Sequence, residues 1–221
     1  PTDLVGVHVT VSAGPTVEDL DPVRFLSNRS TGTMGFELAR ALAERGAEVT
    51  LITGPVHLNT PPGVRRMDVR SADDMACAMA QTWTTTDAVI MSAAVADYRP
   101  AVLANTKLKK SPGEMTLNLE RTEDILATLG GRQDRDGKLL VGFAAETEQV
   151  VERAQDKLLR KGLDWIIAND VSGAQIGFGA GDNAGILIGR AGEMIRLERM
   201  AKAEFADTLI DHLSAALRGS P

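Results

Sequence analysis

The stretch DPVRFLSNRSTGTMG, residues 21–35, places Arg24, Asn28, Ser30, Gly32 and Gly35 directly ahead of FELARALAERG, whose apolar spacing reads as a helix. Guanidinium, amide and hydroxyl groups beside glycines at a helix start suit a phosphorylated ligand. The first turn of a helix has unpaired N–H donors and partial positive charge, and glycine lets the backbone approach closely. Gly14, in SAGPT at the end of the first apolar run, offers a second turn of this kind. The plainer reading, that these glycines only cap and turn, stands beside the first. Neither the G-x-x-x-x-G-K-[ST] phosphate loop nor the compact G-x-G-x-x-G fingerprint is present.

Further candidates follow along the chain. In SAAVADYRP, the small Ala93 and Ala94 would let a ligand lie against the backbone, and Asp97 either accepts from hydroxyl groups or caps a turn. KLKK, with Lys107 first, is either a solvated face or a cationic segment that closes over phosphates. Lys157 and Lys161 share a helix face, where they face a ligand or complement the helix C-terminus. Phe143 in GFAAE is a base-stacking ring or a core residue. His8, His57 and His212 read as structural or exposed, Cys77 as a small core residue, and no triad or H-E-x-x-H pattern occurs.

These residues need a frame. LVGVHVTVSA, AEVTLIT, VRRMDV, DAVIMSAAVA, KLLVGFAAE and LDWIIAND read as strands. Between them lie helical runs at Phe36–Arg45, after Ser71, in TEDILATLG and from Glu146 to Lys161. Ser71 is an N-cap, with Asp73 and Asp74 in the first turn. The Gly-rich SGAQIGFGAGDNAG leads to the strands ILIG and MIRLE and a final helix from about Lys202 to Leu217. Residues 99–121 break this rhythm as a basic, hairpin-like excursion. The alternation implies an α/β fold of Rossmann-like, three-layer form: a mainly parallel sheet with helices on both faces, antiparallel edge strands and a basic flap. In such sheets ligands bind beyond the carboxyl ends of the strands, which selects segments 12–35, 92–99, 143–148 and 169–183. No repeat or linker divides the chain, so a single domain over 1–221 is expected.

Composition bounds the function. The 221 residues carry a net charge of −6, which argues against a broad nucleic-acid or anionic-membrane surface. One cysteine excludes an intramolecular disulfide framework and a multi-cysteine zinc site. No apolar run approaches the ~20 residues of a membrane helix, and no signal pattern opens the chain, so a soluble cytoplasmic protein is expected. The start at Pro1, without Met, reads as a piece of a longer chain.

SAGPT, DPVRFLSNRSTGTMG, SAAVADYRP, KLKK, GFAAET and ANDV also follow one another in the order and at the spacings of one family. Over Val5 to about Leu217 the chain resembles the phosphopantothenate–cysteine ligases (phosphopantothenoylcysteine synthetases) of coenzyme A synthesis, in their bacterial, CTP-dependent type. In that type the ligase is often the C-terminal half of a bifunctional protein with an N-terminal flavin-dependent decarboxylase, and a start at Pro1 fits that junction. The resemblance implies activation of the 4′-phosphopantothenate carboxylate by CTP as an acyl-cytidylate, then attack by the L-cysteine amine. It implies that Gly14, Ser30, Gly32 and Gly35 lie against nucleotide phosphates. Asn28 would bind phosphopantothenate and assist at the acyl intermediate, and Arg24 would reach across a homodimer interface. Ala93, Ala94 and Asp97 would touch substrate and nucleotide, with Lys107 on a flap over the nucleotide. Glu123, Asp124, Ile125, Phe143, Lys157, Lys161 and Asn169 are the remaining nucleotide contacts. Mg²⁺ would arrive with CTP rather than in a protein cage.

Three positions depart from the family pattern: Pro15 stands where a second glycine is common, Thr33 where Lys or Arg is expected, and Glu123 where proline is frequent. Thr33 keeps open a non-catalytic nucleotide-binding module. An NAD(P)-binding oxidoreductase would account for the strand–helix order and the glycines, but for neither KLKK nor the missing compact fingerprint.

Overall fold

The fold is seen in a computed structural model that describes residues 2–110, 112–146, 149–170 and 181–219. The chain runs through β1 (His8–Ala13), the two-residue strands β2 (Glu18–Asp19) and β3 (Phe25–Leu26), α1 (Thr33–Glu44), β4 (Glu48–Thr53) and β5 (Val64–Asp68). Next come α2 (Ala72–Thr82), β6 (Ala88–Met91), β7 (Tyr98–Pro100), β8 (Leu119–Arg121), α3 (Ile125–Gly130) and β9 (Leu139–Glu146). It closes with α4 (Val150–Arg160), β10 (Trp165–Asp170), β11 (Asp182–Gly189), β12 (Met194–Ala201) and α5 (Lys202–Leu217). Eight strands form one sheet in the order β12-β11-β10-β9-β6-β1-β4-β5. From β10 to β5 all neighbours are parallel, while β11 and β12 add an antiparallel edge. The expected Rossmann-like, helix-covered sheet is therefore what forms.

Period-two alternation sorts the core. Val9 and Val11 of β1, Val49 and Leu51 of β4, Ile90 of β6, Val141 of β9 and Ile167 of β10 pack on one face with Leu38 and Leu42 of α1 and Phe205, Leu209 and Leu213 of α5. The opposite phase, including Ile52, Val89, Leu140 and Ile166, packs with Met75 and Met79 of α2, Leu129 of α3 and Leu158 of α4. Strands buried on both faces read as continuous apolar runs, which is why they were visible in the sequence. Ser71 caps α2 as expected: its hydroxyl accepts from Asp74 N at 3.1 Å, and the Asp74 carboxylate accepts from Ser71 N at 3.0 Å.

Some boundaries differ. Helix α1 begins at Thr33 rather than Phe36, because Gly32 turns the chain at φ 80° and lets the helix start earlier. Helix α4 begins at Val150, after β9 has run on to Glu146. The tail strands are longer than ILIG and MIRLE suggest. Cys77 is exposed on α2 and not a core residue: Ala and Met on several sides of that helix blur which face is buried. The excursion at 99–121 closes as expected, with β7 antiparallel to β8. Residues 171–180, most of the Gly-rich loop, lie outside the described residues, as do Thr147 of GFAAET and Val171 of ANDV.

Strand β1 lies between β4 and β6, so the chain leaves β1 to one side and returns on the other. The ends of β1 and β6 thus form the topological switch at which such sheets bind ligands.

Candidate functional site

The loops beyond β1 and β6 are stitched to each other. Ser92 Oγ donates to Ser12 O at 2.7 Å, Ala93 N to Ser12 Oγ at 3.1 Å, and Ala94 N to Gly14 O at 2.9 Å. Ala96 N donates to Thr16 Oγ1 at 2.9 Å, and Pro15 bridges to Ala94. Small residues at 93 and 94 allow this close pairing, and beside Pro15 the turn at Gly14 keeps its φ of 77°.

Gly32 lies directly over Gly14: a Cβ on Gly32 would come within 3.3 Å of Gly14 Cα and 2.8 Å of Val56 Cγ1. Gly35 is a packing glycine as well as a cleft residue, since a Cβ there would lie 2.4 Å from Ala13 Cβ and 2.7 Å from Ser92 Oγ. Without these atoms α1 can seat its first turn on the ends of β1 and β6. No side chain caps α1; Thr31 and Thr33 bond each other through their hydroxyls at 2.9 Å. The first turn of α1 therefore opens into the cleft with its helix-end N–H groups uncapped, a suitable anion seat.

The cleft holds about 370 Å³ and is lined by Ser30, Gly32, Gly35, Ala93, Ala94, Asp97, Glu123, Asp124, Ile125, Phe143, Lys157, Lys161 and Asn169 among others. Those thirteen are all sequence candidates, brought together from both faces of the sheet. Lys161 reaches back along α3: its carbonyl oxygen would lie 1.8 Å from a Cβ on Gly130, while its ammonium meets Asp124 at 2.9 Å. Asp124 also caps α3 by accepting from Ala127 N at 3.1 Å. Burial pushes the Asp124 carboxyl up, but the hydrogen bonds from Lys161 and Ala127 outweigh it and hold the group below its ordinary range.

Four candidates stand outside the lining. Gly14 lies just behind Gly32. Asn28 sits at the rim with its amide fully oriented: Nδ2 donates to Ala94 O at 2.7 Å and Oδ1 accepts from Ser30 N at 3.0 Å. Arg24 is directed at the flap instead. Its guanidinium donates to Asp21 Oδ2 at 3.0 and 2.6 Å and to Leu108 O at 3.0 Å. Lys107 precedes Leu108 and does not line the cleft in this conformation.

The structure also adds residues that the sequence did not single out. Met34, Asn183 and Lys202 line the cleft on the α1/α5 side. Asn183 lies where β11 starts and Lys202 where α5 starts, positions that periodicity reads as loop and as amphipathic helix. Burial lowers the Lys202 pKa. Among the described residues, no group of three His, Cys, Asp or Glu side chains could hold a metal ion, and no helix is long and apolar enough to cross a membrane.

The model of the DNA/pantothenate metabolism flavoprotein C-terminal domain matches residues 4–217. The coenzyme A biosynthesis bifunctional protein CoaBC of Vibrio cholerae is 49% identical over 195 residues, covering 87% of this chain and 49% of the relative. That of Bacillus subtilis is 44% identical over 213 residues, covering 96% and 52%. The chain thus spans about half the length of these curated relatives. A crystal structure of the C-terminal domain of a CoaBC protein superposes with a TM-score of 0.84 at 39% identity, covering 99% of both chains. By sequence match and by fold, the chain belongs to the family of DNA/pantothenate metabolism flavoprotein C-terminal domains.

Proposed function

We propose that the chain is a phosphopantothenate–cysteine ligase domain that uses CTP, with residues 1–221 acting as one ligase domain in the cytoplasm. The observation that carries this reading is the single cleft that joins an uncapped helix N-terminus, three lysines and an aromatic ring at the sheet switch. The CoaBC name of the curated relatives supports the same pathway step, and their bifunctional character supports a flavin-dependent decarboxylase fused N-terminal to this domain.

A carboxylate is a poor acylating group because its leaving group would be oxide. In the proposed reaction a carboxylate oxygen of 4′-phosphopantothenate attacks the α-phosphorus of CTP, the bond to the β-phosphate breaks, and pyrophosphate leaves. The cysteine amine then attacks the acyl carbon, loses a proton, and displaces CMP. The protein's task is to align the ends and to stabilise phosphate charge. The first turn of α1, with Ser30, Gly32 and Gly35, takes phosphate oxygens, with Gly14 supporting Gly32 from behind. Lys157 and Lys161 add positive charge, Phe143 offers a face to the base, and Glu123, Asp124, Ile125 and Asn169 complete that wall. Ala93, Ala94 and Asp97 bound the reacting end, and Asn28, with its amide held on both sides, faces it. Thr33 supplies no charge; the uncapped helix end supplies it instead. Mg²⁺ would come with the triphosphate; among the described residues Asp124 is already bound to Lys161.

Incubation with phosphopantothenate, cysteine and Mg²⁺ should release pyrophosphate with CTP and markedly less with ATP. Lys107→Gln should lower product formation at least ~10-fold with an unchanged melting temperature, because an ammonium closing on a phosphoryl group contributes that much or more. Near-normal turnover excludes the flap role. Stabilisation by NAD(P)H rather than CTP would favour the reductase, and CTP binding without turnover the non-catalytic module.

The homodimer has its own support. Val23, Phe25, Tyr98, Val102, Leu103 and Leu119 are exposed on the adjoining β2–β3 and β7–β8 hairpins. Such a patch marks an interface, and a second copy seated there would lie beside Arg24. Light scattering should give the mass of two chains; the mass of one chain at assay concentration removes this part of the proposal.

A further inference from the structure

Glu18, on β2, is a buried ionisable group that takes no part in the proposed reaction: it is 4% exposed and stands outside the cleft lining. Its Oε1 accepts from Ala72 N at 2.8 Å, the first N–H of α2. As a cap alone the carboxylate is a costly choice. A neutral amide oxygen would answer that N–H without burying a charge, and Ser71, Asp73 and Asp74 already serve the same helix end.

The carboxylate also neighbours Thr16, which is fully buried and tied to the cleft wall. Thr16 N donates to Ala94 O at 3.3 Å, its Oγ1 accepts from Ala96 N at 2.9 Å, and its O accepts from Ser27 Oγ at 2.8 Å. Ala96 is gripped from the other side as well: its O accepts from Thr122 Oγ1, and Asp97 O accepts from Thr122 N at 3.0 Å. Ala94, Ala96 and Asp97 all line the cleft. A hydroxyl has a single proton. While Thr16 Oγ1 receives Ala96 N, that proton is free for Glu18, whose charged form the hydroxyl favours. A charged carboxylate only accepts, so it fixes the hydroxyl with its lone pairs turned to Ala96.

We propose that Glu18 is a positioning residue of the ligase, which through Thr16 holds the Ala94–Asp97 wall at the reacting end of the cleft. This rests on the ligase reading. Protonation of Glu18 undoes the arrangement: the acid's own O–H competes with Ala96 N for the Thr16 oxygen, and the wall loosens. Burial pushes the Glu18 carboxyl above its ordinary range and Asp73 adds to it, against the Ala72 N–H, the Thr16 hydroxyl and Arg99. The charges nearby are otherwise engaged: Arg99 with Asp73 and Glu120, Arg70 with Asp19, and Asp74 with Ser71 N. A carboxyl raised in the folded state binds its proton more tightly there, so folding stability from this group rises as pH falls through the folded value. Glu18 therefore costs activity on the acid side without costing stability.

The test measures kcat and the KM for CTP between about pH 5 and 8 for the parent, Glu18→Gln, Thr16→Val and Thr16→Ser, with melting temperatures and Ala96 amide exchange alongside. Glutamine keeps an acceptor for Ala72 N and sets a donor against Thr16, as the protonated acid does. It should lower kcat about ten-fold at neutral pH, hold the KM for CTP within about two-fold, and flatten the acid limb that the parent shows above the ordinary carboxylate range. Thr16→Val should match it, and Thr16→Ser, which restores the hydroxyl, should return close to the parent. A folded Glu18→Gln variant that keeps the parental kcat or the parental acid limb overturns the proposal and leaves Glu18 as a cap of α2. Should that variant fail to fold, the Thr16 pair is read in its place, and a valine variant with the parental rate and limb overturns it equally. Ala96 exchange needs no substrate. Exchange about ten-fold faster in Glu18→Gln and Thr16→Val supports the link even if the parent forms no product, in which case the ligase reading alone falls; unchanged exchange overturns the link.

Discussion

Asp21→Ala should lower product formation by about 10- to 100-fold while leaving the cleft residues in place, because misplacing a reacting or charge-bearing group by an ångström is enough for such a loss. Asp21 is 2% exposed and sits at the base of the flap. Its carboxylate accepts from Val23 N at 2.9 Å, Arg24 N at 2.7 Å, the Arg24 guanidinium, and Leu108 N at 3.1 Å. Arg24 then donates to Leu108 O, so both backbone groups of the residue after Lys107 are held by one ion pair. Ala104 N donates to Leu20 O at 3.1 Å and anchors the same segment. Removing Asp21 frees the lysine-bearing segment and strands the guanidinium. If Asp21 acts through Lys107, the double variant with Lys107→Gln should be little worse than Lys107→Gln alone, since residues in one network are not additive. Additive losses would show that Asp21 acts independently of Lys107.

The latch also has a pH signature. The Arg24 guanidinium, aided by the backbone donors, holds the Asp21 carboxyl well below its ordinary range against the opposing effect of burial. A carboxyl depressed in the folded state contributes stability that is complete above its unfolded pKa of about 4, declines below it, and is gone once pH has fallen through the lower folded value. The latch therefore holds from neutral pH down past pH 4. An acid limb of activity near pH 6 would have to come from elsewhere.

The sheet was legible in the sequence because its inner strands are buried on both sides and show as unbroken apolar runs between amphipathic helices. Most of the cleft was legible for a related reason: in a parallel sheet the ligand side is one edge, so Gly32, Ala93, Phe143 and Asn169 must meet there whatever the details. What stayed hidden depends on contacts that no period encodes. The β2–β3 hairpin has two residues per strand and is held by side-chain bonds to Asp21, not by alternation. Asn183 meets Met34 across 149 residues. Its one local signal is a polar pair, Asp182 and Asn183, that heads an otherwise apolar strand. Arg24 shows the converse: the type was noticed, but within one chain its charge is turned toward Asp21 and Leu108.

Asn28→Asp should all but abolish amide formation, by about 100-fold or more, the scale on which a single oriented donor at a reacting oxyanion acts. In the parent the amide has one orientation only. Ala94 O requires a donor and Ser30 N an acceptor, so Nδ2 and Oδ1 are assigned by their partners. The aspartate keeps the second bond and loses the first, setting a carboxylate oxygen against the Ala94 carbonyl at the cleft rim. In the proposed reaction it also adds a negative charge where a phosphorylated acid and a triphosphate would come together, so substrate binding and acyl transfer would be opposed alike. Asn28→Ala removes the donor without adding charge and should fall between the parent and the aspartate. That order, parent above alanine above aspartate, separates charge repulsion from simple loss of a contact. Pyrophosphate release and product formation, measured together, locate the block: pyrophosphate that continues while product stops places Asn28 at the amide-forming step. Product at the parent rate from the aspartate variant would remove Asn28 from the site.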